Sequence, residues 1–132
     1  MGAMLGIPET FTAKSAADLS SYQWVFVKYS STSTDANKVV EVCASGVPCG
    51  ILILGATAGR DMAIIPLNGQ PAKLVASAAI AVGDMVTITT GGEGVTTTTD
   101  GARIYFIADE AATASGGDDI ITGITCNFMR GA

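Results

Sequence analysis

Between Ile51 and Thr90 four short apolar runs, Ile51–Leu54, Met62–Leu67, Lys73–Ala76 and Met85–Thr90, are separated by clusters of Gly, Pro and Asn. Runs this short, bounded by turn formers, mark strands rather than helices. The small-residue run Ala76–Val82 closes on Gly83-Asp84 and is too short for a stable helix, so a loop or single turn is expected there. The chain is therefore restricted to short strands joined by tight turns.

The same pattern extends in both directions. Gln23–Tyr29 is rich in aromatic and β-branched residues. Alternation puts Trp24, Phe26 and Lys28 on one face and Val25, Val27 and Tyr29 on the other. Both faces carry apolar residues, so this strand is expected to be sandwiched or to cover a contact surface. Ser30–Asn37 reads as a polar loop and Lys38–Cys43 as the next strand, with Val40 and Val42 inward. Ile51–Leu54 reads as a strand buried on both faces. Asn68-Gly69 is a hairpin signal leading to the Lys73–Ala76 strand. Met85–Thr90 alternates cleanly and should pair with Val95–Thr99 across the Gly91–Gly94 turn. Asp100-Gly101 turns into Arg103–Ala108, with Ile104 and Phe106 inward. Asp119–Ile124 and Cys126–Met129 complete the set.

About nine to ten short strands with closely spaced turns predict an all-β fold, a small antiparallel β-barrel or β-sandwich. At 132 residues the chain has the length of one domain. Residues 1–21 show no sustained periodicity and are expected to form an extended N-terminal arm, leaving 22–132 as the β-domain. The arm carries Leu5, Ile7 and Phe11, with Pro8 favouring an extended path. These three side chains, with Trp24, are the candidate partner-contacting residues.

Composition excludes several function classes. The net charge is −5, and the seven basic residues are scattered singly, so the clustered basic footprint of a nucleic-acid binder is missing. No apolar run is long enough for a transmembrane helix, and no basic amphipathic segment suggests a membrane surface. The Met-Gly start lacks Ser or Thr at position 6, where Gly6 stands, so the myristoylation pattern fails. Without a signal-peptide pattern, synthesis and retention in a cytoplasm are expected. Charged residues make up only 14% of the chain, against a usual ~25%, which suggests that some surface faces another protein.

No catalytic constellation is present. The chain has no His, and Cys43, Cys49 and Cys126 match no zinc spacing. They read as free thiols acting as small apolar side chains, with a Cys43–Cys49 bridge across Gly46-Val47-Pro48 left open. Gly91-Gly92-Glu93-Gly94 lacks the Lys and helix of a phosphate loop. Asp109-Glu110 and Asp118-Asp119 lack calcium-loop spacing, and Asp61 and Asp84 read as turn carboxylates. The chain is expected not to be an enzyme and to need no cofactor or metal.

An ordered set of segments resembles a known family. Ala17-Asp18-Leu19-Ser20 leads into Gln23–Tyr29, followed by Lys38-Val39-Val40, Gly50-Ile51-Leu52, Ala58-Gly59, then Gly69 and Lys73-Leu74-Val75. Next comes Ala78–Val86, then Ala108–Ala114 and Gly117-Asp118 before a final apolar strand. Over residues 16–125 this order resembles the bacteriophage capsid decoration, or capsid cement, proteins. The Ser30–Asn37 and Gly91–Gly101 loops and the leader through Ser15 depart from it. The resemblance implies a structural virion protein on the outer surface of the capsid. Such a protein would cement neighbouring copies of the major capsid protein, after synthesis in the cytoplasm of a bacterial host. The low charge and the doubly apolar Gln23–Tyr29 strand lead to the separate expectation of a homo-oligomer, a dimer or trimer. The alternative is another phage binding module, from a tail or fibre, or a carbohydrate-binding β-domain with an exposed Trp24.

Overall fold

A computed structural model describes residues 6–113 and 119–131. Among them are ten strands, one short 3-10 turn at Thr90–Gly92 and no α-helix. The strands are β1 (Phe11–Ser15), β2 (Phe26–Tyr29), β3 (Val39–Val42), β4 (Gly50–Leu52) and β5 (Asp61–Pro66), then β6 (Pro71–Ala76), β7 (Met85–Ile88), β8 (Gly94–Thr96), β9 (Arg103–Ala108) and β10 (Asp119–Met129). The all-β class is as the sequence predicts.

The strands close into two barrels rather than one. Around the first the order is β1-β3-β2-β4-β5, and around the second β6-β8-β7-β9-β10. Numbered within each barrel, both orders are 1-3-2-4-5. In each the 1–3 contact is parallel and the other four are antiparallel. The chain is thus a tandem topological repeat, where the sequence suggested a single β-domain. The repeat is hidden because corresponding strands share no pattern: β2 is FVKY where β7 is MVTI, and β4 is GIL where β9 is RIYFIA.

Two corrections follow from this topology. Asn68-Gly69 does form a tight turn, with Gly69 at φ 90°, but it makes no hairpin. β5 pairs within the first barrel and β6 within the second, so the turn is the crossover between them. The fully buried Thr125 of β10 clasps this crossover. Its hydroxyl donates to the Pro66 carbonyl at 2.9 Å and accepts from the Gln70 N–H at 2.9 Å.

The expected arm over 1–21 is also shorter than predicted, because Phe11–Ser15 is a barrel strand. β1 runs antiparallel to β5, with Phe11 opposite Ile64 and Lys14 opposite Asp61, and parallel to β3. Its inward residues are Ala13 and Ser15, both buried. Small side chains suit the narrow interior of a five-stranded barrel, and they give no hydrophobic alternation to read. Leu19 then packs into the first core and its N–H donates to the Ala56 carbonyl at 2.9 Å.

Burial explains the doubly apolar strands. Val27, Val40, Leu52, Met62 and Ile64 fill the interior of the first barrel. On the opposite face of the same strands, Phe26, Ile51 and Ile65 are cross-strand neighbours on β2, β4 and β5. They join a second cluster that continues through Leu74, Ala76, Val86, Phe106 and Ile121 into the second barrel. β2, β4 and β5 therefore form a wall with one barrel on each side. The Phe26 and Tyr105 rings meet across it edge to face, centroids 5.9 Å apart, a favoured aromatic geometry.

Candidate functional site

Trp24 sits at this seam, not on an exposed surface. Its backbone is held by both barrels: its N–H donates to the Leu52 carbonyl at 2.7 Å, and its carbonyl accepts from the Val75 N–H at 2.8 Å. Trp24 as a whole is only 8% exposed, with the Lys73 ammonium 5.9 Å from the centroid of its ring. Among the described residues Trp24 is the only non-glycine with positive φ, at 56°. Such a conformation costs on the order of 1–3 kcal/mol and persists only where the surroundings enforce it. The two backbone bonds and the buried ring do so here. Alternation assigned its face correctly, but nothing in the sequence announces the backbone twist.

The other candidates are dispersed. Leu5 lies outside the described residues. Ile7 is 95% exposed, and nearby the Glu9 N–H donates to Gln70 Oε1 at 2.8 Å. Phe11 is half-buried in β1, its ring 6.4 Å from that of Tyr29. Ile7, Phe11 and Trp24 thus occupy an exposed segment, a barrel strand and the seam, and do not form one site. Exposed apolar side chains also occur at Val47, Leu54, Val82 and Met129.

Two open clefts were not anticipated. One, of about 330 Å³, lies where the barrels meet and is lined by Tyr22, Val25, Val75, Glu93 and Ile120 among others. The other, of about 350 Å³, lies on the first barrel between Tyr29 and the loop that follows β2, lined by Ser30, Ser33, Thr34, Asp35 and Lys38. The sequence signal for the second was an aromatic strand end running into a hydroxyl-rich loop. It reads equally well as solvated connection.

Several titratable groups are buried or held within the fold. Burial raises all three thiols: Cys49 to about 12, Cys126 to about 11, and Cys43 upward as well. Each therefore stays protonated at neutral pH, whereas the thiolate is the nucleophile and metal ligand. Cys43 and Cys49 are free. Cys43 faces the seam cluster while Cys49 packs against the first barrel's interior. They bond to β2 from opposite sides, through Phe26 O and Val27 O. Two strand spacings put their backbones roughly 9–10 Å apart, too far for a disulfide.

Several carboxylates are similarly engaged. Asp61 pairs with Lys14 at 3.2 Å. Asp84 accepts from the Ala81 N–H at 2.8 Å and the Thr96 hydroxyl at 2.9 Å. Asp109 accepts from the Thr122 hydroxyl, and Glu110 from the Thr122 N–H at 3.0 Å. Asp61 and Asp84 are each tied to their own barrel. Asp118 lies outside the described residues. Among the described residues no three Cys, Asp or Glu converge as a metal site, and no helix is long and apolar enough to cross a membrane.

This arrangement defines a double-barrel all-β module. No family model and no curated protein matches the chain. Among solved structures it is similar to the head fiber gp8.5 N base in bacteriophage phi29, with a TM-score of 0.67 at 20% sequence identity. The match covers 90% of this chain and 94% of that one, so the likeness is of the whole fold and includes both barrels.

Proposed function

We propose that this protein is a structural component of a phage virion, carried on the outer surface of the head and bound to the major capsid protein. The observation that supports this most is the fold likeness to a phage head fiber base along nearly the whole of both chains. The ordered segments resembling capsid decoration proteins point to the same surface. A structural rather than catalytic role suits thiols that stay protonated and carboxylates already engaged within the barrels. Cementing follows from mass action: a protein that binds the assembled shell but not its free subunits stabilises the shell.

The neighbour is a fiber base, which favours a second reading, in which the module anchors a projecting element without cementing. One experiment separates the two. Purified protein is added to heads lacking it, and both saturable co-sedimentation and the temperature of head rupture are measured. Binding with a raised rupture temperature supports cementing. Binding with no change supports an anchor. No saturable binding to heads overturns the proposal.

A further inference from the structure

We propose that the cleft beside Tyr29 is a saccharide site, taking one neutral pyranose ring against the Tyr29 face. This stands apart from the head-surface proposal and is tested on the isolated chain. The cleft volume of about 350 Å³ falls at the small end of ligand sites, which span about 300–1,000 Å³.

Its walls are preorganised. The Ser33 N–H donates to the Ser30 carbonyl at 3.0 Å, Thr34 N–H to Asn37 O at 3.0 Å, and Val39 N–H to Ser33 Oγ at 3.1 Å. The loop is thus held by its own bonds while several groups stay available. The Asp35 carboxylate has no hydrogen-bond partner among the described residues; only the Asp35 backbone carbonyl is used, accepting from Lys38 Nζ at 3.3 Å. The Lys38 ammonium keeps donors to spare. Tyr29 is 47% exposed as a residue, belongs to neither core cluster, and has the Phe11 ring beside its own. Burial pushes the Tyr29 phenol up, so it keeps its proton at neutral pH.

Charge and shape select the ligand class. Asp35 and Lys38 cancel, so a simple anion would meet the carboxylate and a simple cation the ammonium. A purely apolar ligand would leave both unpaired. A pyranose satisfies every wall. Its C–H face lies on the electron-rich face of the phenol ring. One hydroxyl donates to Asp35 and another accepts from Lys38, both charge-assisted bonds. A single ring in an open cleft predicts a Kd on the order of millimolar.

The test follows amide proton–nitrogen correlation spectra of the full chain titrated to roughly 50 mM, well above a millimolar Kd. The probes are methyl α-glucoside, methyl β-galactoside, methyl α-mannoside and N-acetylglucosamine, with sulfate and choline as charged comparisons. Saturable shifts confined to Phe11 and residues 29–38 are expected with at least one sugar. Tyr29→Ala and Asp35→Asn should each weaken binding roughly tenfold or more while leaving the rest of the spectrum in place. The proposal is overturned if none of the four sugars gives saturable shifts, if the shifts fall elsewhere, if sulfate or choline produces them instead, or if both variants bind as the parent does.

Discussion

The two barrels share one strand order but are stabilised differently. The first has an interior core of its own, closed by the small inward residues Ala13 and Ser15, and a separate apolar row on its outer wall. Among the described residues the second has no separate interior cluster. Its buried residues are continuous with that outer row, through Phe26, Ile51 and Ile65. The same topology therefore makes a self-contained barrel and a dependent one. The lesson concerns doubly apolar strands: β2, β4 and β5 suggest a partner, and the partner is the second half of the same chain. The argument for a homo-oligomer from Gln23–Tyr29 falls away with that. If the proposed attachment to a shell holds, its apolar contacts come from exposed groups such as Ile7, Leu54, Val82 and Met129.

The largest effect that can break this comparison is removal of β1. Deleting residues 1–15 opens the first barrel and strips one of the two neighbours from each of β3 and β5, so the cooperative thermal melt should be lost. Deleting residues 1–9 should leave circular dichroism and the melt nearly unchanged. Equal behaviour of the two truncations would return Phe11–Ser15 to the arm.

Adjacent residues on β2 probe the two cores separately. Phe26→Ala removes a fully buried ring from the seam and should cost about 3–5 kcal/mol in denaturant unfolding. Val27→Ala acts on the first interior and should cost less, about 1–3 kcal/mol. Under partly denaturing conditions, hydrogen exchange in the Phe26 variant should accelerate most in β6–β10. Faster exchange confined to β1–β5 would reverse the proposed dependence.

Gly92→Ala tests the docking of the β7–β8 turn on the first barrel. Gly92 has φ 77°, and a Cβ there would lie 2.8 Å from the Phe26 carbonyl. Left-handed strain and overpacking together should cost about 2–4 kcal/mol. Gly91→Ala shares the strain at φ 83° but meets nothing within 4 Å, so it should cost less. Thr125→Val should cost about 1–3 kcal/mol, because the Gln70 N–H and the Pro66 carbonyl lose their partner.

The smallest effect is an alkaline one. Burial raises Cys49 from 9.0 to about 12 and Cys126 to about 11. The protonated thiols are therefore favoured in the fold, and their contribution is fully present below pH 9. It is lost as pH rises toward the folded values, because the unfolded thiols ionise first. Urea midpoints should be flat through pH 7–8.5 and fall above it. Thiol titration should find three free groups per chain after denaturation and slow reaction before it.

Much of the fold was legible. Alternation in Gln23–Tyr29 separated Trp24 and Phe26 from Val25 and Val27, and those two sets do enter different cores. The turns at Gly83-Asp84, Gly91–Gly94 and Asp100-Gly101 fall where the sequence places them. β1 was not legible, since FTAKS becomes a strand only by pairing with β5, about fifty residues later. The second barrel was not legible either. A local turn signal such as Asn68-Gly69 fixes the bend but not which sheet the next strand joins. The cleft beside Tyr29 depends on how the Ser30–Asn37 loop folds back on itself, which composition does not specify.

Calorimetry of the full chain tests most directly whether the apolar wall is shared within one molecule. The account predicts a single transition in which calorimetric and van't Hoff enthalpies agree, moved to lower temperature as a whole by Phe26→Ala. Two separable transitions, with only one moved by Phe26→Ala, would show that the barrels are independent and that the wall between them is free to serve another partner.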